Sequence, residues 1–323
     1  MKLASTPRLL GPARLRRGVA AVGACAVVGL GLLLIPGAST ATASVVPDVA
    51  APVVPPSLLD SLRGRSRKLR ARFVSPARPG SIAILRRLFG EDADARVGVH
   101  TAQPEATAAV SSAFHFITMR PFSDKVQGRI GTYRIGFFPN EHATGAPQLV
   151  KPDGFVEVTL DNQDTPVSDH FRLRDFLTHD QGSVWPKYLV LREPLVDKLE
   201  LVIDELRAMG VAVGGMRVMS GFRTPQYNAL GVNGGGRVKD SRHQFGDAAD
   251  VYVVNGSGDR MSDLNRDGRV DTRDAKVLAM AAERVEREHP DLVGGIGIYP
   301  ATNAHGPFVH IDVRGRAARW GGM

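Results

Sequence analysis

The stretch LVDKLELVIDELRAMGVAVGGMRVMS, residues 195–220, changes its period part-way along. Leu195, Leu199, Val202, Leu206 and Met209 recur at steps of four and three, which places them on one face of a helix, and Gly210 supplies a C-terminal stop. Residues 216–220 then read as a strand. Further strand-like runs follow at 251–254, 296–299 and 308–313. A helix with one apolar face, followed by a few short strands, must bury that face on a small sheet, so the fold class is α+β. Upstream, short β-type runs at 114–118, 133–138 and 155–160 alternate with turn residues and predict a small β-rich unit.

Three segments around this helix and sheet carry chemistry. They are Ser220-Gly221-Phe222-Arg223-Thr224-Pro225, then Ser241-Arg242-His243-Gln244-Phe245-Gly246-Asp247-Ala248-Ala249-Asp250, and finally Phe308-Val309-His310-Ile311-Asp312. Each histidine alone is explained by a hydrogen bond or an exposed surface. Together they fit a metal site, because a catalytic zinc needs three nitrogen or oxygen ligands and one open position. His243, Asp250 and His310 can supply that set.

In these segments the chain resembles the LAS zinc peptidases, the superfamily of lysostaphin, the D-Ala-D-Ala carboxypeptidases and the hedgehog signalling domain. It is most similar to the D-Ala-D-Ala carboxypeptidase branch, whose pattern is S-G-[YF]-R-[ST]-P, then S-x-H-x-x-G-x-A-x-D, then a strand with a second metal histidine. The likeness extends upstream through His170-Phe171-Arg172-Leu173-Arg174-Asp175-Phe176 and covers roughly residues 165–320. It implies a small antiparallel sheet with flanking helices, Zn²⁺ on His243, Asp250 and His310, and peptidoglycan stem peptides as substrate. It also implies that Arg223 binds a substrate carboxylate or carbonyl, against the plainer reading of a structural ion pair. His305 falls where relatives keep a histidine that stabilises the oxyanion.

The chain departs from the pattern at Pro307, where many relatives carry an acidic general base for the attacking water. Proline cannot move a proton. Asp312 is two residues past His310 and on the same strand face, so it is one candidate for the base. Equally, it can be an outer acceptor that holds a histidine ring. Asp247 is a weaker candidate. The departure keeps a rival reading open, a non-catalytic peptidoglycan-binding module on the same fold.

Between the second and third metal ligands runs Asp263-Leu264-Asn265-Arg266-Asp267-Gly268-Arg269-Val270-Asp271-Thr272-Arg273-Asp274. Asp263, Asn265, Asp267, Asp271 and Asp274 offer oxygens at loop positions 1, 3, 5, 9 and 12. Gly268 stands at position 6, and Arg269 at position 7, where the ligand is a backbone carbonyl. This spacing predicts a structural Ca²⁺ in an EF-hand-type loop, with Asp in place of the usual final Glu. An amphipathic run from 272 to about 288 supplies the exiting helix.

The formal net charge of +8 and the pI near 9.9 look suited to nucleic acid. Residues 1–17 carry five basic residues and no acid, and residues 63–87 carry nine and no acid, so the remainder is net −6. The motif-bearing region is mildly acidic, and a nucleic-acid partner is excluded on that ground. The basic start, the apolar run at 18–35 and Ala41-Thr42-Ala43 read as an export signal over 1–43, or alternatively as a membrane anchor, and place the protein outside the cytoplasm. The single cysteine, Cys25, falls inside that segment, so disulfides are not expected in the mature chain. Residues 44–98 read as a basic Pro/Arg-rich linker that anionic wall polymers or a membrane surface would attract. The β-rich unit then spans 99–164, and the peptidase-like domain, with the inserted loop 263–274, spans 165–323.

Overall fold

The computed structural model, which describes residues 51–105, 112–139, 141, 151–232 and 236–322, folds the stretch expected to be a linker. It forms β1 (Val53–Val54), α1 (Pro56–Leu62), β2 (Ala71–Val74) and α2 (Pro79–Phe89), followed by β3 (Gly98–Pro104) and β4 (Phe114–Thr118). The prolines that suggested a linker start helices instead: Pro56 and Pro79 each stand at a helix N-terminus, where a missing N–H costs nothing. Val54, Leu59, Leu62, Val74 and Leu85 pack with Ala102, Phe114 and Phe116 into a buried cluster. The sheet order β1-β3-β4-β2 straddles the boundary expected at residue 98.

Most basic residues of this segment have an acidic partner within the chain. Arg65 pairs with Asp291, Lys68 with Asp204, Arg70 with Asp169, Arg72 with Glu193, Arg78 with Asp153 and Arg86 with Asp94. The positive segment is therefore matched mainly by the acidic remainder of the same chain.

Next come β5 (Arg120–Pro121), β6 (Arg129–Ile130), β7 (Tyr133–Arg134), β8 (Gly154–Val158) and β9 (Lys187–Leu189). Strands β5, β8 and β9 form an antiparallel sheet in that order, so the boundary expected at residue 164 does not separate two domains either. Ile117, Phe155 and Val158 share one core with Phe171, Leu195 and Val251. The described residues form one compact unit. The expected export segment, 1–43, lies outside the described residues. Among those described, no helix is long and apolar enough to cross a membrane.

The remaining elements are α3 (Glu193–Ala208), β10 (Gly215–Ser220), α4 (Pro225–Ala229), β11 (Ala248–Val254), α5 (Thr272–Glu288), β12 (Gly295–Tyr299), β13 (Phe308–Asp312) and β14 (Ala318–Trp320). Their sheet has the order β10-β11-β13-β12-β14 and is antiparallel except where β14 runs parallel to β12. The apolar stripe of α3 is buried as its spacing requires, and α5 packs against both α3 and β12. The fold is α+β, as expected. Strand β14 was not anticipated, since three residues are too few to show a period.

One register row crosses all five strands. Ser220 lies opposite Asp250, Asp250 opposite His310, His310 opposite Gly297 and Gly297 beside Trp320. Residues in one row share a sheet face. Two glycines keep that face open: a Cβ on Gly297 would come within 2.1 Å of the Trp320 ring, and one on Gly295 within 2.4 Å of Asp312 Oδ2.

Candidate metal centre

His243, Asp250 and His310 come together from a 3-10 turn, β11 and β13, and all three are buried. His243 Nε2 is 3.2 Å from Asp250 Oδ1 and 3.1 Å from His310 Nδ1, and His310 Nδ1 is 3.0 Å from Asp250 Oδ1. Ligands about 2.0–2.1 Å from a tetrahedral zinc stand about 3.3 Å apart, so these three atoms come close to one face of that tetrahedron.

The outer bonds of the two imidazoles fix which nitrogen faces inward. His243 Nδ1 lies 2.7 Å from the Gly221 carbonyl, which can only accept, so Nδ1 carries the hydrogen and Nε2 offers a lone pair. His310 Nε2 lies 3.0 Å from Asp312 Oδ2 and donates to it, which leaves Nδ1 as the inward donor atom. Two lone pairs and a carboxylate oxygen thus converge. Such a set repels itself unless a cation or a shared proton sits among them, and two nitrogens with one oxygen suit a divalent transition metal.

The electrostatics follow the same geometry. Burial would raise the Asp250 carboxyl, but His243 and His310 hold it well below the usual range. Burial pushes His243 down against the attraction of Asp250. For His310 burial acts in the same direction, yet its bonds to Asp250 and Asp312 outweigh it and raise the group.

The first motif of the sequence surrounds this set. Ser220 ends β10, the Gly221 carbonyl orients His243, Phe222 is buried, and Thr224 accepts the Tyr227 amide to cap α4, with Pro225 in its first turn. Gly221 has no space for a side chain, since a Cβ would meet Phe176 Cα at 2.7 Å. Arg223 donates from Nε to Ser220 Oγ at 2.7 Å and from Nη2 to Asp250 Oδ2. The ion pair of the plainer reading is therefore present, and only Nη1 lacks a partner among the described residues.

Asp312 is not placed to act as a base. It is fully buried, with Oδ1 accepting the Gly295 amide and both oxygens taken by Arg314, and it meets His310 on the side of the ring away from Asp250. Burial would raise its pKa, but the bonds from His310 and Arg314 hold it far below the carboxylate range. It is the acceptor that sets the His310 tautomer. Asp312→Asn should lower metal affinity about 10- to 100-fold, measured by competition with a chromophoric chelator; wild-type affinity would remove this role. Asp247 is likewise occupied: it is buried and held by Arg242 through both oxygens.

His305 lies in the turn between β12 and β13, its ring edge-on to Phe308 at 5.0 Å, and Phe308 is on the same strand face as His310. Its Nδ1 is 2.8 Å from the Gly306 carbonyl and donates to it, so Nε2 is an acceptor in the neutral ring. Two groups went unread in the sequence: Trp320, whose ring lies 5.2 Å from that of His310, and Tyr299, whose hydroxyl accepts the Trp320 Nε1 hydrogen at 3.0 Å. Both follow from the shared register row and its neighbour, which only the strand pairing reveals.

The loop at 263–274 has the turn predicted for it, with Gly268 at φ +81°, and its side-chain oxygens accept amides of the loop itself. Asp263 accepts the amides of Asp267 and Gly268, Asn265 accepts that of Asp267, and Asp267 that of Arg269. Asp271 caps α5 and holds Arg273. Asp274, expected to close the calcium shell, is buried and accepts the amides of Leu264, Asn265 and Asp271 in a capping box. Among the described residues the only gathered group of three or more His, Cys, Asp or Glu donors is His243, Asp250 and His310. The calcium expectation draws no support from a gathered carboxylate group among the described residues. The same residue types serve turns and helix caps.

No family model matches the chain, and no curated protein matches it. Among solved structures, the crystal structure of Serratia marcescens L-Ala D-Glu endopeptidase ChiX is 22% identical, over 38% of this chain and 82% of that one, with a TM-score of 0.27. The chemistry of this site accordingly rests on its own donors.

Proposed function

We propose that the chain is an exported zinc peptidase that hydrolyses peptide bonds of peptidoglycan stem peptides, as a carboxypeptidase or an endopeptidase. The observation that carries this reading is convergence: the three motifs that resemble the zinc peptidases meet on one sheet face, with their donors near tetrahedral spacing. Zinc bound there supplies a Lewis acid for a peptide carbonyl and lowers the pKa of water.

The chain's own residues do the rest. Gly221 and Asp312 hold the two imidazoles with their lone pairs inward. Arg223, fixed by Ser220 and Asp250, has Nη1 left to bind a carbonyl or carboxylate of the peptide. His305 offers Nε2 as a proton acceptor, which answers the proline at 307, and returns that proton to the leaving amine.

Purified peptidoglycan incubated with metal-free and zinc-restored protein should release peptide fragments, detected by mass spectrometry, only in the restored sample. His305→Asn should keep its zinc and lose about a hundredfold in kcat; an unchanged kcat would remove His305 from the reaction. The second reading, a non-catalytic peptidoglycan-binding module, draws on Pro307 and on the prior commitment of Asp247 and Asp312. Retention on insoluble peptidoglycan without fragment release, zinc present, would select it.

A further inference from the structure

A cavity of about 380 Å³ lies between the start of α3 and the segments that follow β2 and β13. Its apolar lining includes Phe73, Met119, Leu191 and Phe245. Its charged lining is unbalanced. Arg78, Lys151, Arg192, Arg242 and Arg314 face only Asp153 and Glu193. Both acids are already engaged, Asp153 by Arg78 and Glu193 by Arg72 and the Phe73 amide.

The three inner arginines are incompletely used. Arg242 gives Nε and Nη2 to the buried Asp247, and Arg314 gives Nε and Nη2 to the buried Asp312. In each, the edge bearing Nη1 has no partner among the described residues. Arg192 has no hydrogen-bonded side-chain partner there at all: its Nη1 stands 3.8 Å from Asp247 Oδ2, and its side chain is 47% exposed. Arg192 and Arg242 thus share one carboxylate, which leaves a positive charge uncompensated at the cavity wall.

We infer that this cavity is an oxyanion-binding subsite, taking a carboxylate or phosphate group carried on a small apolar body. Planar guanidinium edges suit both groups, and the volume lies in the range of small-ligand sites. Arg192 is the residue on which recognition turns, because among the three inner arginines its guanidinium alone makes no hydrogen bond to a carboxylate, standing 3.8 Å from the Asp247 oxygen that Arg242 already holds. The subsite does not depend on zinc or on hydrolysis.

The test is calorimetric titration of the full chain, stripped of metal by chelation, with inorganic phosphate in one arm and N-acetylalanine in the other. At least one should bind, with affinity falling as salt rises. Arg192→Ala should weaken that binding about tenfold or more, the loss of a charge-assisted contact, and Arg192→Lys should recover part of it. Arg192→Gln is the second variant should the alanine chain not fold, and thermal melting verifies each. The arm that binds tells phosphate from carboxylate. No heat in either arm would overturn the proposal. So would equal binding by the Arg192 variants, which would mean an adventitious ion only.

Discussion

His243→Ala, and separately His310→Ala, should abolish stoichiometric zinc binding, measured by metal analysis after dialysis, and peptide release from peptidoglycan with it. Either change removes one of three donors and opens a buried gap beside the others. Asp250 then keeps Arg223 but loses one imidazole, so the remaining pair cannot reproduce the face of a tetrahedron. Full metal content in either variant would refute the assignment of the centre. The intact site should also show a signed pH dependence. His310 is raised because Asp250 and Asp312 overcome the effect of burial, so in the metal-free protein its proton competes with metal already above the ordinary histidine value of about 6.5. Zinc affinity should therefore fall about tenfold for each unit of pH below that raised value, and level off above it. His243, lowered by burial, adds no proton to compete near neutral pH.

The donors themselves were legible because their residue types suit a metal and their segments resemble the zinc-peptidase pattern: two imidazoles and a carboxylate, gathered here by a turn and two strands. Their outer partners were legible only in part. Asp312 shares a strand face with His310, and that geometry allowed both a base and a ring-holding acceptor; the bonds from Arg314 and Gly295 decide for the second. The Gly221 carbonyl gives no side-chain signal at all. Trp320 sits on a three-residue edge strand, and the strand order that brings it to His310 cannot be inferred from periodicity. The segment at 51–98 was misread for a related reason. Arginine runs and prolines do mark linkers, yet here most of the acids that pair with them stand far along the chain, Asp169, Glu193 and Asp291 among them. In the loop at 263–274 the ambiguity is chemical, since an aspartate that can ligate calcium can equally cap a helix.

Lys198→Met should destabilise the protein by about 3–5 kcal/mol, measured by urea denaturation, and this is the largest effect expected away from the metal ligands. Lys198 lies in the middle of α3 with its ammonium fully buried, 2.6 Å from Glu286 Oε1 on α5 and 2.7 Å from the backbone oxygen of Asp312 on β13. Burial pulls its pKa down and Glu286 pulls it back up, so the charge survives only because its partner is present. Methionine fills similar volume but leaves Glu286 buried with Arg319 as its remaining cationic partner, and leaves the Asp312 carbonyl without that donor. A pairing worth little would give a loss under about 1 kcal/mol and would sink the claim. Adding Glu286→Gln should restore part of the stability, because part of the single-variant loss is the cost of a buried carboxylate left with one cation in place of two. The Lys198 variant should also bind zinc more weakly than wild type while folded, since the strand end it holds is the one that carries Asp312, and Asp312 orients His310. One buried ammonium thus joins α3, α5 and the strand of the metal centre, which is why a helix first read only for its apolar stripe contributes to the site it packs behind.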